Sequence, residues 1–401
     1  MPTFHDFALR ASSLKALDKM NITTPTSIQE RSIPILLEGR DLIAQAQTGS
    51  GKTLGFGLPI VERCDSRERH VQAIILTPTR ELARQVSDVF HEISKDSGLH
   101  VILLHGGVSY GPQENQLRRG GQIVVGTPGR ILDHLKRRTL SLDRVRIFIL
   151  DEADQMLDQG FAPDVERIIA RTPRVADRQT ALFSATTPEW VKKIAAKHMN
   201  NPVVISSEHE EDMEPDIEHL VMEVFREDKF QVLVRLLKEQ PVEGTTVIFG
   251  RTKHGVRNLG RKLENMGFRV AVLQGNLAQS QRDRAMDQFR SGRARILVAT
   301  NVAARGMDVL HIDRVINFEL PETHELFTHR VGRTARMGRR GQAITLVSAV
   351  DLTKWQSIER GLGVRLPRMN ANGQIETKAA PVKKAPSNWG RRRFSRRRAI
   401  A

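Results

Sequence analysis

At 401 residues the chain is too long for one ordinary core, and two or three domains are expected. Apolar residues at 39% suit globular α/β domains, while 62 basic against 46 acidic side chains leave a net charge of +16, which points to an anionic partner, nucleic acid first. One cysteine, Cys64, excludes an internal disulfide and a thiolate metal cluster, and no apolar run approaches a membrane span. The opening residues lack a basic region followed by an apolar one, so a cytoplasmic protein without membrane contact is expected.

In chain order, the first chemical signal is Ala46-Gln47-Thr48-Gly49-Ser50-Gly51-Lys52-Thr53, which ends in the Gly-Lys-Thr of a phosphate-binding loop. Its glycines let backbone N–H groups approach phosphate oxygens, and the helix expected after it adds its positive end. Lys52 supplies charge to the β- and γ-phosphates, and the Thr53 hydroxyl can ligand magnesium. Ala46 stands where a first glycine is usual. Strands are then predicted at Ala73–Thr77, Val101–Leu104, Ile123–Val125, Ile147–Leu150, Ala181–Ser184 and Val203–Ile205. Helical patterns such as Glu81–Ser94 and Glu189–Lys197 lie between them, the rhythm of a mostly parallel sheet covered on both faces.

Asp151-Glu152-Ala153-Asp154 follows the run Ile147–Leu150 directly. Carboxylates at the carboxyl end of a buried strand point into the crevice where α/β sheets bind ligands. Asp151 is the expected magnesium-side acid, and Glu152 the candidate general base for the attacking water. Loop and acids together imply ATP hydrolysis, with ATP and Mg2+ as cofactors.

Glu208–Pro215 is acidic, nearly devoid of large apolar residues, and ends in proline. The strand-helix rhythm resumes after it, at Leu220–Val224, Thr246–Phe249, Val270–Leu273, Ile296–Ala299, Arg314–Asn317 and Ala343–Val347. Two α/β domains of similar size are therefore expected, 1–206 and 217–366, joined by a linker at 207–216. In the second, His329–Gly338 carries Arg330, Arg333 and Arg336, whose spacing of three lets them share one side of a helical turn. Arginine is always charged and forks to two oxygens, which suits charge on a transferring phosphoryl group. From Arg368 to Ala401 there are ten basic residues and one acid, with no apolar periodicity. A disordered basic tail at 367–401 is expected.

From about Phe4 to about Val347 the chain resembles the DEAD-box ATP-dependent RNA helicases. The resemblance implies an α/β fold of two tandem RecA-like domains with parallel sheets. It implies an RNA-stimulated ATPase that unwinds RNA duplexes locally, or remodels RNA-protein complexes, with little sequence preference. Residues Ile22–Gln29 resemble the family's adenine-reading segment, with Phe4 as its upstream aromatic. Gln29 would read the adenine edge, since an amide both donates and accepts, and Ile22 stands where many relatives cover the base with an aromatic. Ser184-Ala185-Thr186 resembles the link between hydrolysis and strand separation, with the two hydroxyls bonded to the Asp151–Asp154 turn.

The resemblance places RNA at Thr79 and Arg80, at Gly106-Gly107, and at Thr127 and Arg130. In the second half it places RNA at Thr252, at Gln274 and Gly275, and at Thr300 and Gly306, with Gln279 and Arg282 in a neighbouring motif. Asp308 would lie near the ribose, and Arg333 and Arg336 would reach the γ-phosphate. Asn301 replaces the more usual aspartate, and Ala335 the more usual glycine. A monomer that binds single-stranded RNA and short duplexes is expected. Ribosome assembly, mRNA decay and cold adaptation all use such enzymes, and the sequence does not choose among them. An ATP-gated RNA clamp or annealing protein would use the same closed state; strand displacement measured against annealing separates the two.

Overall fold

Two sets of short apolar strands, each too hydrophobic to face water, are sandwiched between helices. They are seen in a computed structural model that describes residues 2–46, 49–206, 216–239, 244–275, 277–301, 312–335, 340–369, 375–377 and 380–381. The first lobe holds strands β1 (Leu42–Gln45), β2 (Ala73–Leu76), β3 (Val101–Leu104), β4 (Ile123–Gly126), β5 (Ile147–Asp151), β6 (Gln179–Ser184) and β7 (Val203–Ser206). Their spatial order is β3-β4-β2-β5-β6-β1-β7, and every pairing is parallel. Along β2, β4, β5 and β6 every residue is buried, as parallel strands covered on both faces require.

Alternate residues feed opposite cores. Ile75, Ile149 and Phe183 pack with helices Ser27–Leu37, Lys52–Arg63 and Arg80–Ser94. Ile74, Phe148 and Leu182 pack with helices Pro128–Lys136, Ala162–Ile169 and Glu189–His198. Strand β1 is absent from the predicted set. It has only four residues, one of them Gln45, too short for a periodicity to register. It nonetheless lies between β6 and β7, with Leu42 opposite both Ala181 and Val203. There it delivers the phosphate loop to the sheet's carboxyl edge.

The second lobe repeats the plan with β8 (Ile217–Glu223), β9 (Thr246–Gly250), β10 (Val270–Leu273), β11 (Ile296–Thr300), β12 (Arg314–Asn317) and β13 (Gly341–Val347). Helices Lys229–Lys238 and Lys253–Asn265 cover one face. Helices Gln279–Arg290, His324–Val331 and Leu352–Leu362 contribute to the other cores. The fold is thus two parallel-sheet α/β lobes, as the sequence implies.

The expected tail does not begin at 367. After β14 (Val364–Arg365), strand β15 (Arg368–Met369) adds to the sheet beside β8, and β16 (Ile375–Thr377) pairs antiparallel with it; β17 (Ala380–Pro381) pairs with β14. Arg368 counts toward the tail's charge, yet its guanidinium bridges Glu223 at 2.5 Å and Glu359 at 3.3 Å. Long-range pairing overrides composition here. Residues 207–215 of the expected linker and 370–374, 378–379 and 382–401 of the expected tail lie outside the described residues.

The helix His324–Val331 ends at Gly332, so Arg330 and Arg333 do not share a helical side as the spacing suggests. Just beyond, Ala335 has φ +53°, in the left-handed region. A side chain costs about 1–2 kcal/mol there, while glycine loses about 0.5–1 kcal/mol more chain entropy on folding. Ala335→Gly is therefore expected to stabilise the protein slightly, raising the unfolding midpoint by roughly 1–3 °C. Calorimetry of the full chain checks this, and a lowered midpoint would remove the strain argument.

Candidate active site between the lobes

The phosphate loop closes on itself. Gly51 has φ +89° and precedes helix Lys52–Arg63. A Cβ on Gly51 would sit 2.5 Å from Gln29 Nε2, so only glycine fits. Lys52 is buried, and its Nζ donates to Ala46 O at 3.0 Å. Ala46 N in turn donates to Ser184 O at 2.9 Å, extending the β1–β6 pairing into the loop. The Gln29 amide, expected to read the adenine edge, is engaged by its own lobe in this structure. Its Nε2 donates to Gly51 O at 2.9 Å, and its Oε1 accepts from Thr26 N at 3.0 Å. Thr26 Oγ1 also donates to Ser50 O at 2.9 Å, so this segment braces the loop. Ile22 is half-buried and packs on the core that contains Phe4. Gly49 is exposed, Thr53 half-buried, and Gln47 and Thr48 lie outside the described residues.

The acids stand at the carboxyl end of β5. Asp151 is buried, and its Oδ1 has no hydrogen-bond partner among the described residues. Burial pushes its carboxyl up to about 7, with Lys52 opposing the shift and Glu152 adding to it. Glu152 is also buried and has φ 55°, ψ 53°. A non-glycine residue held left-handed is strain of the kind that clusters at active sites.

Asp154 anchors the next turn. Its N donates to Ser184 Oγ at 3.1 Å, and its Oδ2 accepts from Ala185 N, Thr186 N and Thr186 Oγ1 at 3.1, 3.0 and 3.2 Å. Ser184 and Thr186 are thereby tied to the acidic turn.

The site suits a magnesium ion better than a metal needing an all-protein cage. No cluster of three or more His, Cys, Asp or Glu side chains poised for a metal occurs among the described residues. Magnesium takes one or two carboxylates and completes its shell with water and phosphate oxygens. An orphaned carboxylate oxygen on Asp151, near the charge of Lys52, fits that requirement.

The second lobe faces this turn. Burial lowers the His329 pKa, and the carboxylates of Asp154, Asp158 and Glu152 partly counter it across the cleft. Arg333 is buried, and its Nε donates to His329 O at 3.2 Å. Arg330 points the other way, into its own lobe. Its Nε donates to Asn301 Oδ1 at 2.6 Å, and its Nη1 to Asn317 Oδ1 at 3.0 Å and Glu319 O at 2.6 Å. Phe249 lies under it at 5.0 Å. These direct acceptors are neutral, and burial brings Arg330 down to about 9. Asn301 is therefore one of three neutral acceptors that fix Arg330. Arg336, Gly306 and Asp308 lie outside the described residues.

A second seam joins the lobes through two helix starts. Glu81 pairs with Arg282 at 2.6 Å, both side chains largely buried, while Arg84 pairs with Asp283 at 3.7 Å. Arg80 Nη1 donates to Gln279 Oε1 at 3.1 Å. The Arg80 guanidinium also packs where a Cβ on Gly107, at φ +82°, would lie.

Several residues expected at RNA have side chains already engaged. The Thr79 and Thr252 hydroxyls cap their helices, accepting from Leu82 N at 3.1 Å and Gly255 N at 3.0 Å. Arg130 is buried; its Nη2 donates to Val108 O at 2.9 Å, and its guanidinium lies 4.1 Å from the Tyr110 ring. Arg137 covers the same ring at 3.8 Å, and Tyr110 OH donates to Asp133 at 2.9 Å. Sequence reasoning missed Tyr110, although it is the only tyrosine and follows the Gly106-Gly107 turn closely. Thr127 and Thr300 are buried at an element end, Gln274 is half-buried, and Gly275 is exposed.

Comparison with known proteins agrees with this architecture. The family model described as DEAD/DEAH box helicase matches residues 26–194, and the helicase conserved C-terminal domain matches residues 228–338. An ATP-dependent RNA helicase, CshA of Listeria monocytogenes, is 42% identical over 92% of this chain and 71% of its own. Dbp5 of Saccharomyces cerevisiae bound to RNA and ADP BeF3 superposes with a TM-score of 0.83 at 35% identity, over 92% of this chain and 96% of that one. A variant of the same yeast protein bound to Nup159, a Gle1 variant, IP6 and ADP gives 0.64 at 34% identity, over 91% and 96%. The chain belongs to the DEAD-box family of ATP-dependent RNA helicases.

Proposed function

We propose that ATP and RNA are bound in the seam between the lobes, and that hydrolysis resets a closed state in which an RNA strand is held and locally unpaired. The observation that carries this reading is that His329, whose backbone oxygen accepts from Arg333 Nε at 3.2 Å, lies within electrostatic reach of the Asp154, Asp158 and Glu152 carboxylates of the other lobe. The phosphates rest on residues 46–53, with Lys52 turning from Ala46 O to the β- and γ-oxygens. Asp151 and Thr53 would hold a magnesium ion, which would supply positive charge to the phosphates. Glu152 accepts the proton of the attacking water. Arg333, with Arg336, stabilises the transferring phosphoryl charge. RNA, as single strand or short duplex, lies across the helix starts after β2, β4 and β9. Backbone amides there meet phosphates, which gives little sequence preference.

Two substitutions separate the roles. Glu152→Gln is expected to bind ATP normally and to hydrolyse it about 10²–10⁴ times more slowly. Arg333→Ala is expected to lower RNA-stimulated turnover while leaving ATP affinity without RNA unchanged. Nucleotide titration and steady-state turnover measure both effects; wild-type turnover in either variant would strike that residue from its role.

The raised Asp151 pKa gives a pH signature in protein free of nucleotide and divalent ions. The folded state keeps a proton that the unfolded chain loses from pH 3.8 upward, until the folded group itself ionises at about 7. Stability therefore falls as pH rises through that window. Asp151→Asn is expected to flatten this part of the profile, and equal slopes in both proteins would contradict it.

A further inference from the structure

Lys253, Arg257 and Arg261 form an exposed stripe along the helix Lys253–Asn265, whose N-cap is Thr252. They recur every four residues, and the stripe spans about 12 Å at 1.5 Å per residue. Arg251 and His254, both exposed, extend it at the helix start. Glu264 is the only acid on the helix, against four cations once Lys262 is counted. Lys262 sits apart, over Phe230 at 5.4 Å. Near the N-terminus the Glu319 carboxylate is occupied by Arg251 N at 2.5 Å. Among the described residues no ion pair joins Lys253, Arg257 or Arg261 to a carboxylate.

This arrangement is costly for a helix that merely faces water. Like charges four apart destabilise by about 0.2–0.5 kcal/mol per pair, and the stripe contains two such pairs. Lys253 also stands at the positive end of the helix dipole, where the first turn holds no acid. Other exposed helices in this chain do the opposite, pairing Arg167 with Asp164 and Lys192 with Glu189 three residues apart. The helix is held instead by Val256, Leu259, Gly260 and Leu263, buried on its far side.

We infer that the stripe Lys253–Arg257–Arg261 is a second contact surface for the RNA backbone, carrying the strand onward from the cleft across the outer face of this helix. The inference rests on the reading that RNA reaches the Thr252 end of the helix. Unneutralised cations, a helix N-terminus and an exposed surface together suit phosphodiester groups, and the stripe reaches roughly three of them.

The test uses the full chain with Arg257→Gln and Arg261→Gln combined, exposed positions beyond the helix start where glutamine keeps the helix. Two RNAs are compared: a single strand just long enough to saturate ATPase stimulation, and the same strand with long extensions at both ends. For the extended RNA, affinity is expected to fall roughly fivefold to tenfold, and the slope of log affinity against log salt to flatten by about 1.4, near 0.7 for each lost contact. Affinity for the short RNA and the RNA-free ATPase rate should stay unchanged. Equal salt slopes in wild type and variant would overturn the inference, as would an equal loss for short and extended RNA. Failure of any RNA to stimulate wild-type ATPase would instead remove the underlying reading of the cleft.

Discussion

A carboxylate buried at the end of a central strand has few stable environments. Asp151 is such a group, and the loss of water around it must be offset by positive charge. Lys52 supplies part of that charge in the structure as it stands. It can do so only because β1 lies one strand away from β5, across β6, and brings the phosphate loop to the same edge. The Ala46 N to Ser184 O bond fixes the loop to β6, and the Asp154 bonds to Ser184 and Thr186 fix the acidic turn to the same strand. Strand β6 is therefore a common anchor for the phosphate loop and the acidic turn.

The same constraint explains what could be read from the sequence. The phosphate loop and the acidic turn are contiguous residues whose types are dictated by chemistry, so both were legible without a structure. The sheets were legible because β2, β4, β5 and β6 are buried on both faces and read as unbroken apolar runs. Strand β1 was not, because four residues ending in glutamine carry no period. Arg330, Arg333 and Arg336 read as one stripe, yet the helix stops at Gly332 and Arg330 turns inward to Asn301 and Asn317. Direction of a side chain beyond a helix end depends on tertiary acceptors, which spacing does not encode. The partners of Gln29, Thr79 and Arg130 in this structure were not legible for a related reason. Each side chain can serve a ligand or a neighbouring backbone group, and in this structure each serves the backbone.

The departure at Asn301 becomes intelligible in the same terms. A buried guanidinium needs acceptors more than it needs a formal countercharge, and Asn301, Asn317 and Glu319 O provide three. The Phe249 ring adds a face with negative potential. Arg330 thereby links the ends of β9, β11 and β12 to the helix before Arg333. The arrangement holds Arg333 on a braced element, which positions it for the cleft without requiring Arg330 to enter it.

Closure of the lobes follows from what crosses between them. Each hydrophobic cluster among the described residues stays within one lobe. The named contacts across the seam are polar: Glu81 with Arg282, Arg84 with Asp283, Arg80 with Gln279, and His329 facing the acidic turn. Only the Glu81–Arg282 pair is largely buried, and burial of an ion pair gains little net stability because desolvation opposes attraction. An apolar seam would lock shut. A polar seam leaves open and closed arrangements close in free energy, so ligands that touch both lobes can shift the balance. ATP phosphates and RNA phosphates are both anionic, and both sides of the seam carry cations without an apolar substitute. Bound in the proposed seam, phosphates that touch both lobes would favour the closed arrangement, because the seam supplies cations and no apolar lock.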